Sequence, residues 1–252
     1  MDAVRIESVS KSFGGLHVLK DLSITIEAGQ YVAIIGPNGA GKTTLLSAIS
    51  GGLPVTGGRI YLFDKEITKL PPYQRAHLGL ARSFQINRLF YNLSVLDNVL
   101  LALQGIRPSR YQMLRLPFSY SELMAKAQQL LERTGLWEKR EDLVRNIAYG
   151  EQRRTEISLS LAAEPKVLLM DEPTAGLAIG EIPDFINMIK SLAKGTTLIF
   201  AAHDMDVVFG LAQRVLVLYF GQFIADGTPE EIKVEPKVKA IYLGLEEEEA
   251  GA

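Results

Sequence analysis

Gly36-Pro37-Asn38-Gly39-Ala40-Gly41-Lys42-Thr43 decides how this chain is read. The string fits G-x-x-x-x-G-K-[ST], and its neighbours are those the pattern requires: YVAII before it and TTLLSAIS, helical in pattern, after it. YVAII is apolar throughout, which suits a strand buried on both faces. Glycines let backbone N–H groups turn inward, and the following helix adds its positive end, so the loop cradles a polyphosphate. Lys42 can reach the β- and γ-phosphates, and the Thr43 hydroxyl can coordinate Mg²⁺. The candidate nucleotide contacts are therefore Gly36, Asn38, Gly39, Ala40, Gly41, Lys42, Thr43 and Thr44. The alternative, a Gly-rich turn that happens to end in Lys-Thr, leaves the flanking strand and helix unexplained.

VLLMDEP supplies a second half to such a site. A carboxylate at the end of a buried parallel strand lies at the sheet edge where α/β folds bind ligands. Asp171 can hold Mg²⁺ there, and Glu172 can polarise an attacking water. Alone, the pair could be an ordinary solvated turn. Beside a phosphate loop it reads as part of the site.

Around these motifs, DLSITIEAG and GGRIYLF read as further strands, and Pro71-Pro72 opens a short helix. From about Asn87 to Pro165 the pattern is helical. Ser94 with Asp97 makes a capping-box-like start for VLDNVLLALQG, and Ser121 precedes ELMAKAQQLLERT, which stops at Gly135. Strands return with VLLM, TTLIFAA and RVLVLY, separated by helices such as IPDFINMIKSLAK, whose Ile182, Phe185, Ile186 and Ile189 share a face. Thr228-Pro229-Glu230-Glu231 reads as a capped helix start, and EEEEAGA as a solvated tail. This alternation predicts a largely parallel sheet covered on both faces. The expected division is a catalytic α/β lobe of 1–86 and 166–252 and a helical lobe of 87–165.

Length and composition agree with one such unit: 252 residues, 47% hydrophobic, 22% charged, formal net charge −2. That balance supplies no positive field for nucleic acid, and none is expected as a partner. The absence of cysteine removes disulfides, thiolate metal sites and thiol nucleophiles. MDAVRIESVSKSF lacks the basic start and apolar run of a signal peptide, and no apolar stretch approaches the roughly 18–20 residues that span a bilayer. The expectation is a protein that stays where it is made and meets a membrane only through a partner.

Five further segments, in order, make the chain resemble the ABC ATPases. Phe13, in KSFGG, stands where that family places an aromatic on adenine, although a core phenylalanine is an open alternative. Gln85, in ARSFQ, matches the glutamine that the resemblance assigns to sensing Mg²⁺ and the attacking water. The run Ile147-Ala148-Tyr149-Gly150-Glu151-Gln152-Arg153-Arg154 corresponds to the family signature, a helix start that closes over the γ-phosphate bound by another subunit. His203, in AAHDM, matches the switch histidine; His17 and His77 match no motif and read as surface residues. The loop after Glu172, Thr174-Ala175-Gly176-Leu177-Ala178, is the fifth. Departures are visible. Ala148 replaces the signature serine, Tyr149 its first glycine, and Ala178 the usual Asp or Asn.

The resemblance implies a P-loop NTPase fold with a parallel-sheet core, an N-terminal antiparallel β subdomain and an inserted helical subdomain. It also implies ATP and Mg²⁺ as cofactors, with Glu172, His203 and Gln85 catalytic, Thr43, Gln85 and Asp171 around the metal, and Phe13 and Ala148 to Glu151 on nucleotide. The combination ARSFQINRLFYNLSVLDNV, AYGEQRR, HDMDVVFGLAQRV and DGTPEEIKVEPKVKAIYLG is similar to the larger ATP-binding subunit of branched-chain amino acid importers. Transmembrane permease subunits, a second ATPase subunit and, only indirectly, a solute-binding protein are then the implied partners, at the cytoplasmic face of the membrane. The ATPase of lipopolysaccharide export has a similar C-terminal segment and is the nearest rival. A soluble ABC ATPase outside transport is a third reading, but no second cassette, coiled-coil insertion or basic arm is visible. A P-loop GTPase is disfavoured because no Asn-Lys-x-Asp string occurs.

Overall fold

The computed structural model describes residues 1–83, 89–105 and 118–243. Gln85 and the EEEEAGA tail therefore lie outside the described residues. The chain forms two compact units, 1–80 with 166–173 and 195–252, and 81–165 with 174–194. The stretch 174–194, which follows the Asp-Glu pair, thus groups with the helical residues.

The first unit opens on a hairpin of β1 (Asp2–Phe13) and β2 (Leu16–Glu27), where alternation sends Val4 and Ile6 of β1 inward and a register shift at Ser8, φ 49, returns Val9 to the same core. After β3 (Tyr31–Ile35) and α1 (Lys42–Ser50), β4 (Gly57–Leu62) returns antiparallel to β1, and β5 (Lys65–Glu66) closes a four-stranded sheet in the order β2-β1-β4-β5. Then come α2 (Pro72–His77), with Pro72 in its first turn, and the short β6 (Leu80–Arg82).

In the second unit α3 (Val95–Gly105) begins as its sequence predicts: Ser94 Oγ accepts from the Asp97 N–H at 3.0 Å and donates to Asp97 Oδ2 at 2.7 Å. α4 (Phe118–Arg133) starts earlier than the expected Ser121, because nothing between Phe118 and Ser121 breaks a helix. Its end is as expected. Gly135 takes φ 71, and Leu136 N–H reaches back to Leu131 O at 2.8 Å. α5 (Tyr149–Leu161) follows, and Val95, Val99, Leu103, Leu131, Val144 and Ile147 form the shared core.

The chain returns to the first unit with β7 (Val167–Asp171), leaves it for α6 (Ile182–Leu192), and comes back with β8 (Thr197–Ala201). On α6 three of the four residues of the predicted face, Phe185, Ile186 and Ile189, are buried, and Ile182 at the helix start is half-buried. α7 (Met205–Leu211), β9 (Arg214–Tyr219), β10 (Gln222–Gly227), α8 (Pro229–Val234) and α9 (Pro236–Leu243) complete the chain. Thr228 caps α8 as read: its N–H donates to Glu231 Oε2 at 2.7 Å and its hydroxyl accepts from Glu231 N–H at 3.3 Å.

The larger sheet runs β10-β9-β3-β8-β7-β6, with β3 parallel to β8 and β9, and β7 parallel to β8. Every residue of β7 and β8 is buried, the condition that continuous apolar runs satisfy. Leu45, Leu46 and Ile49 of α1 join Ile34, Ile199 and Leu216 of this sheet and Ile6, Leu19 and Ile60 of the smaller one in one core. Fully burying each such side chain contributes about 1.5–3 kcal/mol. The α1 helix, and with it the loop ahead of it, is thereby anchored to both sheets.

Candidate active site

Parallel pairing brings three strand ends to one edge. Ile34 of β3 pairs with Ala201 of β8, and Ala201 pairs with Asp171 of β7. Consequently the loop 36–41, the pair Asp171-Glu172 and the pair Ala202-His203 all leave the sheet at its C-terminal edge, where such folds place ligands.

The loop is held from behind by the turn between β9 and β10. Gly221 N–H donates to Ala40 O at 3.1 Å. At Gly36 a side chain is impossible: φ is +147, and a Cβ would lie 2.0 Å from Leu218 O. Asn38 and Gly39 are exposed at the loop tip, Thr43 is exposed and Thr44 half-buried on the first turn of α1. Lys42 is buried, and its ammonium donates to Gly36 O at 2.6 Å and Pro37 O at 2.9 Å. Burial holds it below the ordinary lysine value, while the carboxylates of Glu172 and Asp171 act in the other direction. A phosphate offers that ammonium a stronger acceptor than the two carbonyls.

Asp171 is 1% exposed, and its Oδ1 accepts from Thr43 Oγ1 at 3.3 Å. A buried carboxylate beside a hydroxyl is an oxygen-only donor set, which fits Mg²⁺, an ion that takes one or two protein ligands and fills the rest of its shell from water and phosphate. Glu172 follows in a left-handed backbone, φ 47, fixed by its N–H to Ala201 O at 2.9 Å. A non-glycine residue there costs on the order of 1 kcal/mol or more, the kind of strain found where function fixes a side chain's direction. Its Oε1 lies 2.9 Å from His203 Nε2, both groups being accessible. Lys42, Thr43, Asp171, Glu172 and His203 are thus gathered in one unit.

The other candidates lie elsewhere. Phe13, 49% exposed at the end of β1, is not a core residue, and Lys11 Nζ lies over its ring at 4.8 Å. His17 and His77 are on the surface as read. In the second unit Ala148 is the N-cap of α5, without a side-chain acceptor to offer. Glu151 makes up half of the missing box: its Oε2 accepts the Ala148 N–H at 2.9 Å, and its Oε1 pairs with Lys139 Nζ at 2.5 Å. Burial works to raise Glu151. The Lys139 and Ala148 hydrogen bonds and the charges of Lys139 and Arg154 outweigh it, holding the carboxyl below its ordinary value. Gln152 braces the approach, donating to Val144 O and Ile147 O at 3.2 Å each. Gly150 is buried, Tyr149 exposed.

One residue escaped the sequence reading. Arg75 of α2 is 2% exposed and donates Nε to Leu70 O (2.8 Å), one amino group to Ala48 O and Ile49 O (2.7 and 2.8 Å) and the other to Thr68 O (3.0 Å). Burial lowers it to about 10. The guanidinium thereby caps the C-terminal end of α1, where the helix dipole favours a cation. No motif marks it; an arginine among apolar neighbours in PYQRAHLGL is the only hint.

Comparison with known proteins agrees with this arrangement. The profile of a family described as ABC transporter matches residues 19–175. The high-affinity branched-chain amino acid transport ATP-binding protein LivG of Salmonella typhimurium is 37% identical over 246 residues, covering 95% of this chain and 96% of its own. The lipopolysaccharide export system ATP-binding protein LptB of Acidithiobacillus ferridurans is 32% identical over 244 residues, covering 96% and 97%. A solved structure, a nucleotide-free ATP-binding cassette from an ABC transporter, superimposes with a TM-score of 0.84 at 33% identity, covering 96% of this chain and 99% of that one. With its phosphate loop, its Asp-Glu strand end and a profile match across more than half its length, the chain belongs to the ABC transporter family of ATP-binding proteins and is an ATPase.

Proposed function

We propose that the chain powers the import of branched-chain or related amino acids, working from the cytoplasmic face on transmembrane permease subunits and paired with a second ATPase subunit. The observation that carries the catalytic part is the cluster at the sheet edge, with Thr43 3.3 Å from Asp171 and Glu172 2.9 Å from His203. In this reading Phe13 stacks on adenine, and the loop amides and Lys42 hold the β- and γ-phosphates. Glu172 orients a water for in-line attack on the γ-phosphorus; the bond to the ADP oxygen breaks, and ADP and phosphate leave. His203, within reach of Glu172, positions that carboxylate and contacts the γ-phosphate. Thr43 and Asp171 would hold Mg²⁺, which when bound neutralises charge on the β- and γ-oxygens. Ala148 to Glu151 of one chain cap the γ-phosphate of the other, through backbone amides and the helix end. Gln85 senses the metal and water.

The amino acid substrate is supported by the 37% identity with LivG over nearly both whole chains. The 32% identity with LptB favours lipopolysaccharide export as the second reading. Among the described residues no helix is long and apolar enough to cross a membrane.

Glu172→Gln tests the mechanism. It keeps the shape and the nucleotide affinity, and should slow hydrolysis by about 10²–10⁴-fold, the usual loss with a general base. ATP then persists, and light scattering should show a dimer with ATP and none with ADP. Hydrolysis at the wild-type rate would remove Glu172 from its role.

A further inference from the structure

Two of the departures from the family pattern, Tyr149 and Ala178, meet a partner inside the same unit. Tyr149, standing where a glycine is usual, lays its ring on Gly176: a Cβ at Gly176 would be 2.6 Å from Tyr149 Cε1 and 3.0 Å from Cζ. Gly176 has φ +82, so both its backbone and its missing side chain make the fit possible. In return, the Glu181 carboxylate lies against Gly150, where a Cβ would be 2.9 Å from Glu181 Oε1. The other carboxylate oxygen of Glu181 accepts the Ala178 N–H at 3.0 Å. Ala178-Ile179-Gly180-Glu181 thus repeats the half-box of Ala148-Tyr149-Gly150-Glu151, the glutamate closing back on the alanine amide in each.

We propose that Tyr149 and Glu181 are positioning residues that latch the loop 174–181 to the N-terminal end of α5, through glycines that accept them. The loop follows Glu172 with only Pro173 between them, so the latch acts on the stretch of chain next after the hydrolytic carboxylate. The substitutions are then a matched set: Tyr149 requires Gly176, and the Glu181 half-box replaces the hold that a side chain at Ala178 would give. That the latch matters to turnover rests on the reading of Glu172 above; that it exists rests on the two glycine contacts alone.

Amide exchange measured without nucleotide reads the latch directly, because Leu177 N–H donates to Thr174 O at 3.1 Å and Glu181 N–H to Ala178 O at 2.9 Å. Tyr149→Ala should speed exchange across 174–181 by about tenfold or more. It should also lower kcat for ATP by about tenfold with KM moved less than about twofold, the pattern of a misaligned site that still binds. Tyr149→Phe, which keeps the ring, should restore both. Gly176→Ala should cost less in the Tyr149→Ala background than in the wild type, because the ring it collides with is gone. Unchanged exchange in Tyr149→Ala, or equal cost of Gly176→Ala in both backgrounds, overturns the latch. Faster exchange with turnover untouched overturns its part in catalysis. Lys42→Ala, run alongside, tells these apart from a failure of the ATPase reading: only that failure leaves Lys42→Ala hydrolysing ATP at the wild-type rate.

Discussion

Lys42 is the buried cation of the phosphate loop, held at 2.6 and 2.9 Å by two carbonyls of that loop and facing two carboxylates. Removing it leaves the phosphate loop with no cationic side chain for the phosphates. Lys42→Ala should therefore fold, as its melting curve would show, yet bind ATP weakly and hydrolyse almost none in a phosphate-release assay. At this scale the sequence was informative wherever a residue's neighbours in the chain determine its chemistry. The phosphate loop is contiguous, and its strand and helix are legible from periodicity. The Thr43–Asp171 contact, 128 residues apart in the chain, follows once both strand ends are known to share an edge. The left-handed backbone of Glu172 does not follow, since it comes from a bond to Ala201 across the sheet. Arg75 was illegible for a related reason: its partners are carbonyls, which every residue carries and no sequence displays.

Elements depend on their ends, and two ends here can be tested. The C-terminal end of α1 rests on Arg75. Arg75→Leu leaves the carbonyls of Ala48, Ile49, Leu70 and Thr68 without that donor, and should destabilise the first unit by about 2 kcal/mol or more. Denaturant unfolding would show it as a lower midpoint at unchanged slope. The N-terminal end of α5 lacks a side-chain cap at Ala148, although Glu151 already accepts its N–H. Ala148→Ser completes the box and should stabilise by about 1 kcal/mol. Glu151 also carries a pH dependence. Its folded value is depressed, so its contribution is present above the unfolded value of about 4.3 and fades as pH falls through the folded one. The melting-temperature gap between wild type and Glu151→Gln should be full at pH 7 and shrink once the pH falls below the unfolded value and on through the lower folded one. Helix starts at Ser94 and Thr228 were legible because the capping side chain is in the sequence. The start of α4 at Phe118 was missed although Pro117 stands immediately before it, because Ser121 offers a capping side chain further on.

At the scale of the whole molecule, the question is which membrane subunits the chain drives. The catalytic edge is built from loop amides, Lys42, Thr43, Asp171, Glu172 and His203, groups whose chemistry suits ATP. Under the proposed function, substrate choice rests with the membrane subunits. Two relatives that align along nearly the whole chain serve different cargoes by name, so the cassette fold is common to both uses. The identity with LivG, at 37% against 32% for LptB, is the ground on which amino acid import is proposed. Deleting the gene should then abolish high-affinity uptake of radiolabelled leucine, isoleucine and valine and leave lipopolysaccharide at the cell surface unchanged. Restoring the wild-type chain should restore uptake, while Glu172→Gln should not, because a subunit that holds ATP without hydrolysing it stops the cycle with the dimer closed. Uptake that survives the deletion, or recovery of lipopolysaccharide-export permeases when the tagged chain is drawn from a detergent extract, would reverse the assignment.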